Sequence, residues 1–369
     1  MLYIQEILSL LMEVKIEDKD MRAAVLYETN KKLKVENIKF STLQYGQVLV
    51  KIAYSGICHS QLMEIRGNRG EDKWLPHLLG HEATGIVEDI GSGITKVKVG
   101  DRVVVGWIKG DGIDATCGSY YNNEQVINSG KVTTFNEYSI VSENRIVKLD
   151  NDISMDIGVL FGCAIPTGAG IVINEIKPKD NSTIAIFGLG GVGLSALIAT
   201  KLFKFKNIIA IDIENSKLNL AKEFGATNII NSNEKDVQDE ILKLTSNEGV
   251  DYSVEATGLS KIIELAFSVV KNNGGLCVFA SHPKEGDKIC LNPHDLISGK
   301  NIKGSWGGNC HPDRDLPKFF ELYKKGLLPL EKLLEKRYKL EDINEAFNDL
   351  ENRKVVRPLL EINTKLEVI

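Results

Sequence analysis

Hydrophobic residues recur with two different periods along the chain, and the period changes near residue 150. Between residues 21 and 150, short apolar runs alternate with turn residues, and Val48, Val50, Ile52 and Tyr54 show the period of two that a β-strand requires. After residue 150, strand-like runs alternate with runs of helical period. The pattern predicts a β-rich part, compatible with an antiparallel barrel, followed by a parallel, doubly wound α/β sheet.

The predicted elements have the following bounds. In the first part, further strands are predicted at residues 84–90, 102–105 and 138–141, and residues 106–136 are predicted to form a surface lobe. Residues 153–173 have the pattern of a helix interrupted at 166–168. Strands then follow at 183–187, 207–211, 251–254, 276–280 and 302–306, with helices near 192–203, 216–224, 235–244 and 261–270. A helix at 340–352 and a strand at 355–362 are expected to return to the first part.

Length and composition exclude several classes of protein. A chain of 369 residues with 43% hydrophobic and 26% charged residues is typical of a folded protein of about two domains. The net charge of -5 is spread along the chain, so no basic surface for nucleic acid is expected, and no run of apolar residues is long enough for a membrane span. Six scattered cysteines favour reduced thiols and a cytoplasmic location over a disulfide scaffold.

Residues 1–20 are predicted to be an N-terminal extension. They are apolar at first and then charged, they precede the strand-like segment at Met21, and they lack the basic leading segment of a secretory signal. A start at Met21 would make them an appendage, and the alternative that they belong to the fold is equally open at this stage.

A glycine-rich turn lies between a predicted strand and an apolar helix. Gly188, Gly190 and Gly193 have the spacing at which a tight turn, close approach to a pyrophosphate and helix–strand packing each exclude a side chain. Asp212 ends the next predicted strand, where a carboxylate can accept the ribose hydroxyls of NAD and repel the extra phosphate of NADP. The alternative is a structural turn beside a solvated aspartate, but the order of elements favours an NAD-binding domain.

Three residues in other parts of the chain have side chains that suit zinc. Cys58, His81 and Cys163 offer two thiols and one imidazole, and three protein ligands leave a fourth position for water or substrate. Their spacings of 23 and 82 residues do not identify a site. Each residue alone could equally be a buried thiol or a packed histidine.

These motifs occur in one order: Cys58-His59-Ser60, Gly80-His81-Glu82, Cys163 and the turn at 188–193. In this combination the chain resembles the zinc-dependent medium-chain alcohol dehydrogenases from residue 21 to residue 362. The resemblance implies a GroES-like β-barrel catalytic domain at 1–165 and 308–369 and a Rossmann domain at 166–307. It also implies zinc and NAD in the cleft between them, a small alcohol or carbonyl substrate, and a homo-oligomer, dimeric or tetrameric.

Carried over position by position, the resemblance assigns roles to individual residues. The implied zinc ligands are Cys58, His81 and Cys163; the implied catalytic residues are Ser60, which takes the substrate proton, and Glu82, which tunes the metal. The implied cofactor-binding residues are His59, Thr167, Gly188, Gly190, Gly191, Val192, Gly193, Asp212, Lys217 and Arg357. Ser60 and Trp107 are implied to border the substrate. Trp107 and Trp306 favour an apolar substrate end, whereas the polar lobe would equally suit a hydroxylated alcohol.

The chain departs from the family at three places. Where many members hold a second zinc with four closely spaced cysteines, the lobe retains only Cys117, so one catalytic zinc and no structural zinc is predicted. Gln61 stands where many relatives have an aspartate that orients the zinc-binding histidine. Met63 stands where some have a relay histidine, and a thioether cannot carry a proton.

The expected reaction is reversible hydride transfer between an alcohol and NAD, giving an aldehyde or ketone. Two alternatives stay open: a lyase or isomerase that oxidises its substrate only transiently, and an inactive binding protein of the same fold. Net formation of NADH would distinguish the dehydrogenase from both.

Overall fold

The structure, a computed structural model, describes residues 16–368, in which three β-sheets are found. The strands of the first part are β1 (Ile16–Leu26), β2 (Lys34–Ser41), β3 (Gln47–Gly56), β4 (His77–Leu78), β5 (Glu82–Ile90), β6 (Arg102–Gly106), β7 (Tyr120–Asn122), β8 (Gln125–Ile127), β9 (Tyr138–Ser142) and β10 (Ile146–Lys148). The later strands are β11 (Thr183–Phe187), β12 (Asn207–Asp212), β13 (Asn228–Asn231), β14 (Tyr252–Glu255), β15 (Leu276–Phe279), β16 (Asn301–Gly304), β17 (Arg337–Lys339) and β18 (Leu359–Glu361).

The helices lie mostly in the second part of the chain. They are α1 (His59–Ile65), α2 (Met155–Gly158), α3 (Ala164–Gly170), α4 (Gly191–Thr200), α5 (Asn215–Glu223), α6 (Val237–Leu244), α7 (Ser260–Ser268), α8 (Pro293–Ile297), α9 (Pro312–Lys324) and α10 (Ile343–Glu351). Among the described residues no single helix is long and apolar enough to span a membrane; the pair 155–162 and 164–176, bent by 54°, reaches that length and composition only together.

Two largely antiparallel sheets form the first part, as the pattern predicted. One has the order β4-β1-β2-β7-β8 and the other β10-β6-β5-β3-β18-β17, with β9 also paired to β3. Strand β3 is central, so both of its faces are covered: Val48 and Val50 pack into one apolar cluster and Leu49 into another. Because β18 pairs with β3, the C-terminal segment returns to the first part. The boundaries after residues 165 and 307 stay a prediction.

The third sheet is parallel and has the order β13-β12-β11-β14-β15-β16. This order reverses beside β11, and ligands of doubly wound sheets bind outside the carboxyl ends of the strands at such a reversal. The glycine-rich turn follows β11 directly, so it lies at that position. Strand β13, with four residues, was not predicted, because its asparagines at both ends give no strand signal.

The predicted interruption at residues 166–168 is wrong, because the helical path breaks at Cys163 instead. Cys163 has φ -150° and ψ -62° and separates a 3-10 segment, Val159–Gly162, from α3. Pro166 is tolerated because it lies in the first turn of α3, where its missing N–H has no helical acceptor. A Cβ on Gly168 would lie 2.1 Å from the carbonyl oxygen of Val192, so the glycine permits α3 to pack tightly against α4.

Two further expectations need adjustment. The lobe at 106–136 contains the β7–β8 hairpin, and Tyr120 is fully buried. Strand β1 begins at Ile16 and pairs with β2, so residues 16–20 of the predicted extension are part of a sheet. The rest of that prediction, residues 1–15, lies outside the described residues.

Candidate active site

Cys58, His81 and Cys163 lie together, with their potential ligand atoms all within 4.8 Å of one another. Antiparallel pairing of β3 and β5 places the end of one strand beside the start of the other. Cys58 follows β3, and His81 immediately precedes β5. Cys163 reaches the same place because the backbone turns there between two helical segments. The tertiary structure therefore gathers three potential ligands that are separated in sequence.

The chemistry of this cluster fits zinc. The pKa of the Cys58 thiol is well below its usual range, mainly because Cys163 donates a hydrogen bond to it. For the same reason the pKa of Cys163 is well above its usual range, and burial raises it further. The Nε2 atom of His81 is buried and has no hydrogen-bond partner among the described residues. Two close sulfurs and an unpaired imidazole nitrogen match the donor set that zinc prefers.

Glu82, the residue after His81, forms a buried ion pair with Arg357. Glu82 is wedged in place, since a Cβ on Gly56 would lie 2.7 Å from its Oε1 and one on Gly162 would lie 2.8 Å from its Cβ. Burial raises the pKa of Glu82 and Arg357 opposes that rise. Arg357, predicted to meet phosphate, also approaches the glycine turn: its Nη1 is 3.0 Å from the position of a Cβ on Gly191.

Helix α1 carries the residues that flank Cys58. The Ser60 hydroxyl is buried and makes no hydrogen bond within the described chain. Gln61, 3% exposed, accepts the backbone N–H of Cys58 at 3.0 Å and contacts Nδ1 of His81 through its Nε2. Gln61 therefore contacts His81 from the position where many members of the family have an aspartate that orients the zinc-binding histidine.

The glycine turn has the geometry of a pyrophosphate site. Gly188 has φ +84°, a conformation in which a side chain is strained, and a Cβ on Gly193 would lie 1.8 Å from the Gly188 oxygen. A Cβ on Gly190 would meet no atom within 4 Å, so the backbone there faces open space. Helix α4 starts at Gly191, and its first N–H groups are available to an anion. This arrangement fits the phosphates of a dinucleotide.

Asp212, at the end of β12, is connected to the same turn. One carboxylate oxygen accepts the N–H of Leu189 at 2.7 Å, and the other accepts the N–H groups of Ile213 and Glu214. These bonds hold the carboxylate at the reversal of strand order, where a ribose would lie. The predicted cofactor residue is therefore also part of the support of the turn.

The other predicted cofactor residues lie on the helices that follow Cys58, Cys163 and the glycine turn. The His59 residue is exposed to solvent, but the part of its ring that the protein covers is desolvated, which lowers its pKa. The charge of nearby Lys217 lowers this pKa further. Thr167 is 5% exposed and its hydroxyl has no partner in the described chain. Val192 follows the first residue of α4. His59 is consequently a weaker cation than the basic residue that the family often has at this position.

A row of rings extends from the metal cluster to the end of β15. The centroids of His81 and Trp107 are 6.5 Å apart, those of Trp107 and Trp306 are 5.0 Å apart with an edge-to-face arrangement, and those of Trp306 and His282 are 6.3 Å apart. We call these four rings the aromatic wall. Sequence analysis missed His282; its place just after a predicted strand of the parallel sheet was the signal that could have indicated it.

The lobe is held partly by a hydrogen bond to Glu143, which directly follows β9 and also binds the segment at Thr95. Glu143 accepts the backbone N–H groups of Thr95, Lys96 and Ile113. Although burial raises the pKa of Glu143, these bonds bring it below its usual range. Cys117 is exposed and lies outside the metal-ligand clusters of the described chain. The lobe thus has a structural support that requires no metal.

Comparison with known families and proteins agrees with this geometry. The profile described as "Alcohol dehydrogenase GroES-like domain" matches residues 44–151, and that described as "Zinc-binding dehydrogenase" matches residues 191–325. The chain is 34% identical to alcohol dehydrogenase 2 of Zea mays over 355 residues, covering 89% of this chain and 93% of that protein. It is 31% identical to S-(hydroxymethyl)glutathione dehydrogenase of Synechocystis, covering 92% and 99%.

A solved structure extends the similarity to three dimensions. Benzyl alcohol dehydrogenase from Acinetobacter calcoaceticus superimposes with a TM-score of 0.85 at 30% identity, covering 93% of this chain and 99% of that one. A partly buried two-thiol, one-imidazole cluster together with a dinucleotide turn defines a metal- and nucleotide-dependent oxidoreductase. The chain belongs to the zinc-dependent medium-chain alcohol dehydrogenase family, whose members use zinc and NAD.

Proposed function

We propose that this protein reversibly oxidises an alcohol to an aldehyde or ketone with NAD, using one zinc held by Cys58, His81 and Cys163. The observation that carries the proposal is the convergence of these three residues, two partly buried and one buried, in a chain that also has the glycine turn of a pyrophosphate site. Zinc supplies a Lewis acid that lowers the pKa of the alcohol, and NAD supplies the hydride acceptor. The rest of the mechanism concerns what the chain's own residues do.

Ser60 is the residue that we assign to the proton of the substrate hydroxyl. Its Oγ is buried without a partner in the described chain and lies two residues from Cys58. Because Met63 cannot carry a proton, transfer would continue from Ser60 through the ribose or water. The ion pair of Glu82 and Arg357 would hold the metal site and the turn in a fixed relation, since Arg357 pairs with Glu82, the neighbour of His81, and its Nη1 lies close to Gly191 of the turn.

The cofactor would lie across the turn. The open backbone at Gly190 and the N-terminus of α4 would receive the pyrophosphate, with an N–H of His59 as a further donor. Asp212 and Lys217 would hold the adenosine ribose. Thr167 and Val192 would border the nicotinamide, so that hydride donor and acceptor are held in contact with water excluded.

We propose a single zinc per chain. Two other groups of potential ligands occur in the described residues, but both are already paired. His77 hydrogen-bonds Asp72 at 2.8 Å, and Asp313 pairs with Lys96 at 2.5 Å. Neither group contains a thiol, and Cys117 belongs to no group of potential ligands within residues 16–368.

The aromatic wall supports a substrate with an aromatic or bulky apolar end. Trp107 lies beside His81, and Trp306 packs edge-to-face with Trp107, so two large apolar surfaces extend from the proposed ligand. A relative of 30% identity acts on benzyl alcohol by its name. The hydroxylated substrate that the polar lobe would equally have suited is less favoured, because backbone groups of that lobe already donate hydrogen bonds to Glu143 and Ser142.

We also propose that the protein assembles through the cofactor domain. Strand β16 ends the parallel sheet, and the nearby residues Leu296 and Ile297 are 46% and 80% exposed. An edge strand with apolar neighbours is suited to pairing with a second copy of the chain.

The function is tested by measuring NADH formation with primary, secondary, aromatic and polyol alcohols on a sample of known zinc content. We expect one zinc per chain, net NADH formation, and kcat/KM at least about tenfold higher for benzyl-type alcohols than for polyols. Product without a net change in NADH would instead indicate a lyase or isomerase, and no turnover with no zinc would indicate a binding protein. The native mass of the same sample tests the proposed assembly. A native mass equal to the 40.8 kDa of one chain would contradict it.

Replacing Asp212 by alanine is expected to weaken the preference for NAD over NADP by about tenfold or more. The variant loses charge-assisted hydrogen bonds to the ribose, worth about 1.5–3 kcal/mol, and no longer repels a phosphate. The measurement is kcat/KM for both cofactors. Asp236→Ala, which removes a carboxylate at the cap of α6, is the control; an unchanged ratio in Asp212→Ala would exclude this role.

A further inference from the structure

Gln61 makes two contacts that bear on how His81 presents a nitrogen to zinc. Its carbonyl oxygen, Oε1, accepts the backbone N–H of Cys58 at 3.0 Å, and its Nε2 contacts Nδ1 of His81. The side chain is 3% exposed, so solvent offers little alternative. Both neighbours of this one amide group are therefore proposed zinc ligands.

The contact at Nδ1 determines which nitrogen of His81 faces the sulfurs. Since Nδ1 faces Gln61, Nε2 is the nitrogen left for the metal, and it has no partner in the described chain. A neutral imidazole has one N–H and one lone pair, and only a lone pair can bind zinc. Binding through Nε2 therefore requires the N–H at Nδ1, which in turn requires an acceptor.

A single amide cannot meet this requirement and also keep its bond to Cys58. In the present orientation the NH2 group of Gln61 faces His81 and can only donate, which places the imidazole N–H on Nε2, where zinc has to bind. Reversing the amide gives His81 the oxygen but sets the NH2 group against the Cys58 N–H. A carboxylate would satisfy both neighbours, because each of its oxygens accepts.

We propose that Gln61 is a positioning residue whose amide reverses when zinc binds, and that losing its bond to Cys58 makes this site hold zinc less tightly than a carboxylate at position 61 would. The inference rests on the proposed zinc ligands. Hydrogen-bond partners of metal-binding histidines change metal affinity by about 10- to 100-fold. Gln61→Glu, which keeps the shape, is therefore expected to bind zinc about tenfold or more tightly.

The direct test reads the position of the N–H on His81 by 15N NMR of the imidazole nitrogens, in zinc-free and zinc-loaded protein. In the natural protein we expect the N–H on Nε2 without zinc and on Nδ1 with zinc. In Gln61→Glu we expect Nδ1 in both states. An N–H already on Nδ1 in the zinc-free natural protein would overturn the proposal, and this measurement needs no variant to fold.

Zinc affinity, measured by competition with a chromogenic chelator, tests the consequence. Met63→Glu adds the same charge to α1 two residues away, without replacing the amide beside His81, and is the matched control. The proposal predicts tighter zinc binding in Gln61→Glu only. An equal increase in zinc affinity in both variants would contradict the proposal, because it would mean that the added charge alone acts. No increase in Gln61→Glu would also contradict it. If Cys163→Ser retained zinc as the natural protein does, the proposed zinc site itself would be wrong. This outcome is distinguishable from failure of the Gln61 proposal, which concerns only the affinity of that site.

Discussion

Replacing Cys163 by serine is expected to remove most of the zinc and to lower kcat by about a thousandfold, or about 4 kcal/mol of activation free energy. Serine keeps the size of the side chain but offers zinc a neutral hydroxyl in place of a thiolate. The buried position would retain its backbone turn, since Cys163 is 5% exposed and serine is no larger. Zinc content by elemental analysis and turnover of an alcohol with NAD are the two measurements.

Cys117→Ser is the matched control for this experiment. Cys117 is an exposed thiol in the lobe, away from the cluster. The Cys117→Ser variant is expected to have the same zinc content and turnover as the natural protein. Full zinc and full turnover in Cys163→Ser would refute the assigned site, whereas loss of zinc in Cys117→Ser would refute the prediction of a single zinc.

Replacing Glu82 by glutamine is expected to destabilise the protein by about 3–5 kcal/mol, because it leaves the buried guanidinium of Arg357 without its counter-ion. Arg357→Met is expected to cost less, since Glu82 can take up a proton and become neutral, whereas arginine cannot lose one. The free energy of unfolding from urea titrations measures both. Glu223→Gln, which removes one partner of an exposed pair with Lys332, should cost less than about 1 kcal/mol.

The Arg357→Met variant should also have a distinct pH dependence. Burial raises the pKa of Glu82 in the folded protein, and the variant lacks the cation that opposes this rise. A raised folded pKa means that the folded state binds more protons than the unfolded one, so stability is greatest below the unfolded value of about 4.3 and falls as pH rises through the folded value. Stability of this variant that increased with pH in this range would contradict the assignment.

Local patterns were sufficient to predict the elements that carry the proposed cofactor site. The strand, the glycine turn and helix α4 follow one another within a short segment, Gly188 has a positive φ, and a Cβ on Gly193 would meet the Gly188 oxygen. The helix break shows where local reasoning fails. Pro166 and Gly168 are helix breakers by composition, yet Pro166 lies in the first turn of α3, Gly168 packs against Val192, and the turn occurs at Cys163.

Contacts between segments that are distant in sequence could not be predicted from local sequence patterns. Glu82 and Arg357 are 275 residues apart and meet only because β18 pairs with β3. His282 entered the aromatic wall through the loop after β15, with no motif of its own. The orientation of Gln61 was likewise invisible, because it depends on which atoms of Cys58 and His81 it faces.

By itself, the sequence determined the kind of elements, their order and the ligand types, because periodicity, glycine spacing and donor chemistry are local properties of the chain. Only the tertiary structure decided that Cys58, His81 and Cys163 converge, that Arg357 pairs with Glu82 close to the turn, and that one amide faces both Cys58 and His81. The physical reason is that a metal site and a buried charge depend on distances of a few ångströms between segments, and these distances are set by strand pairing and packing of the whole chain.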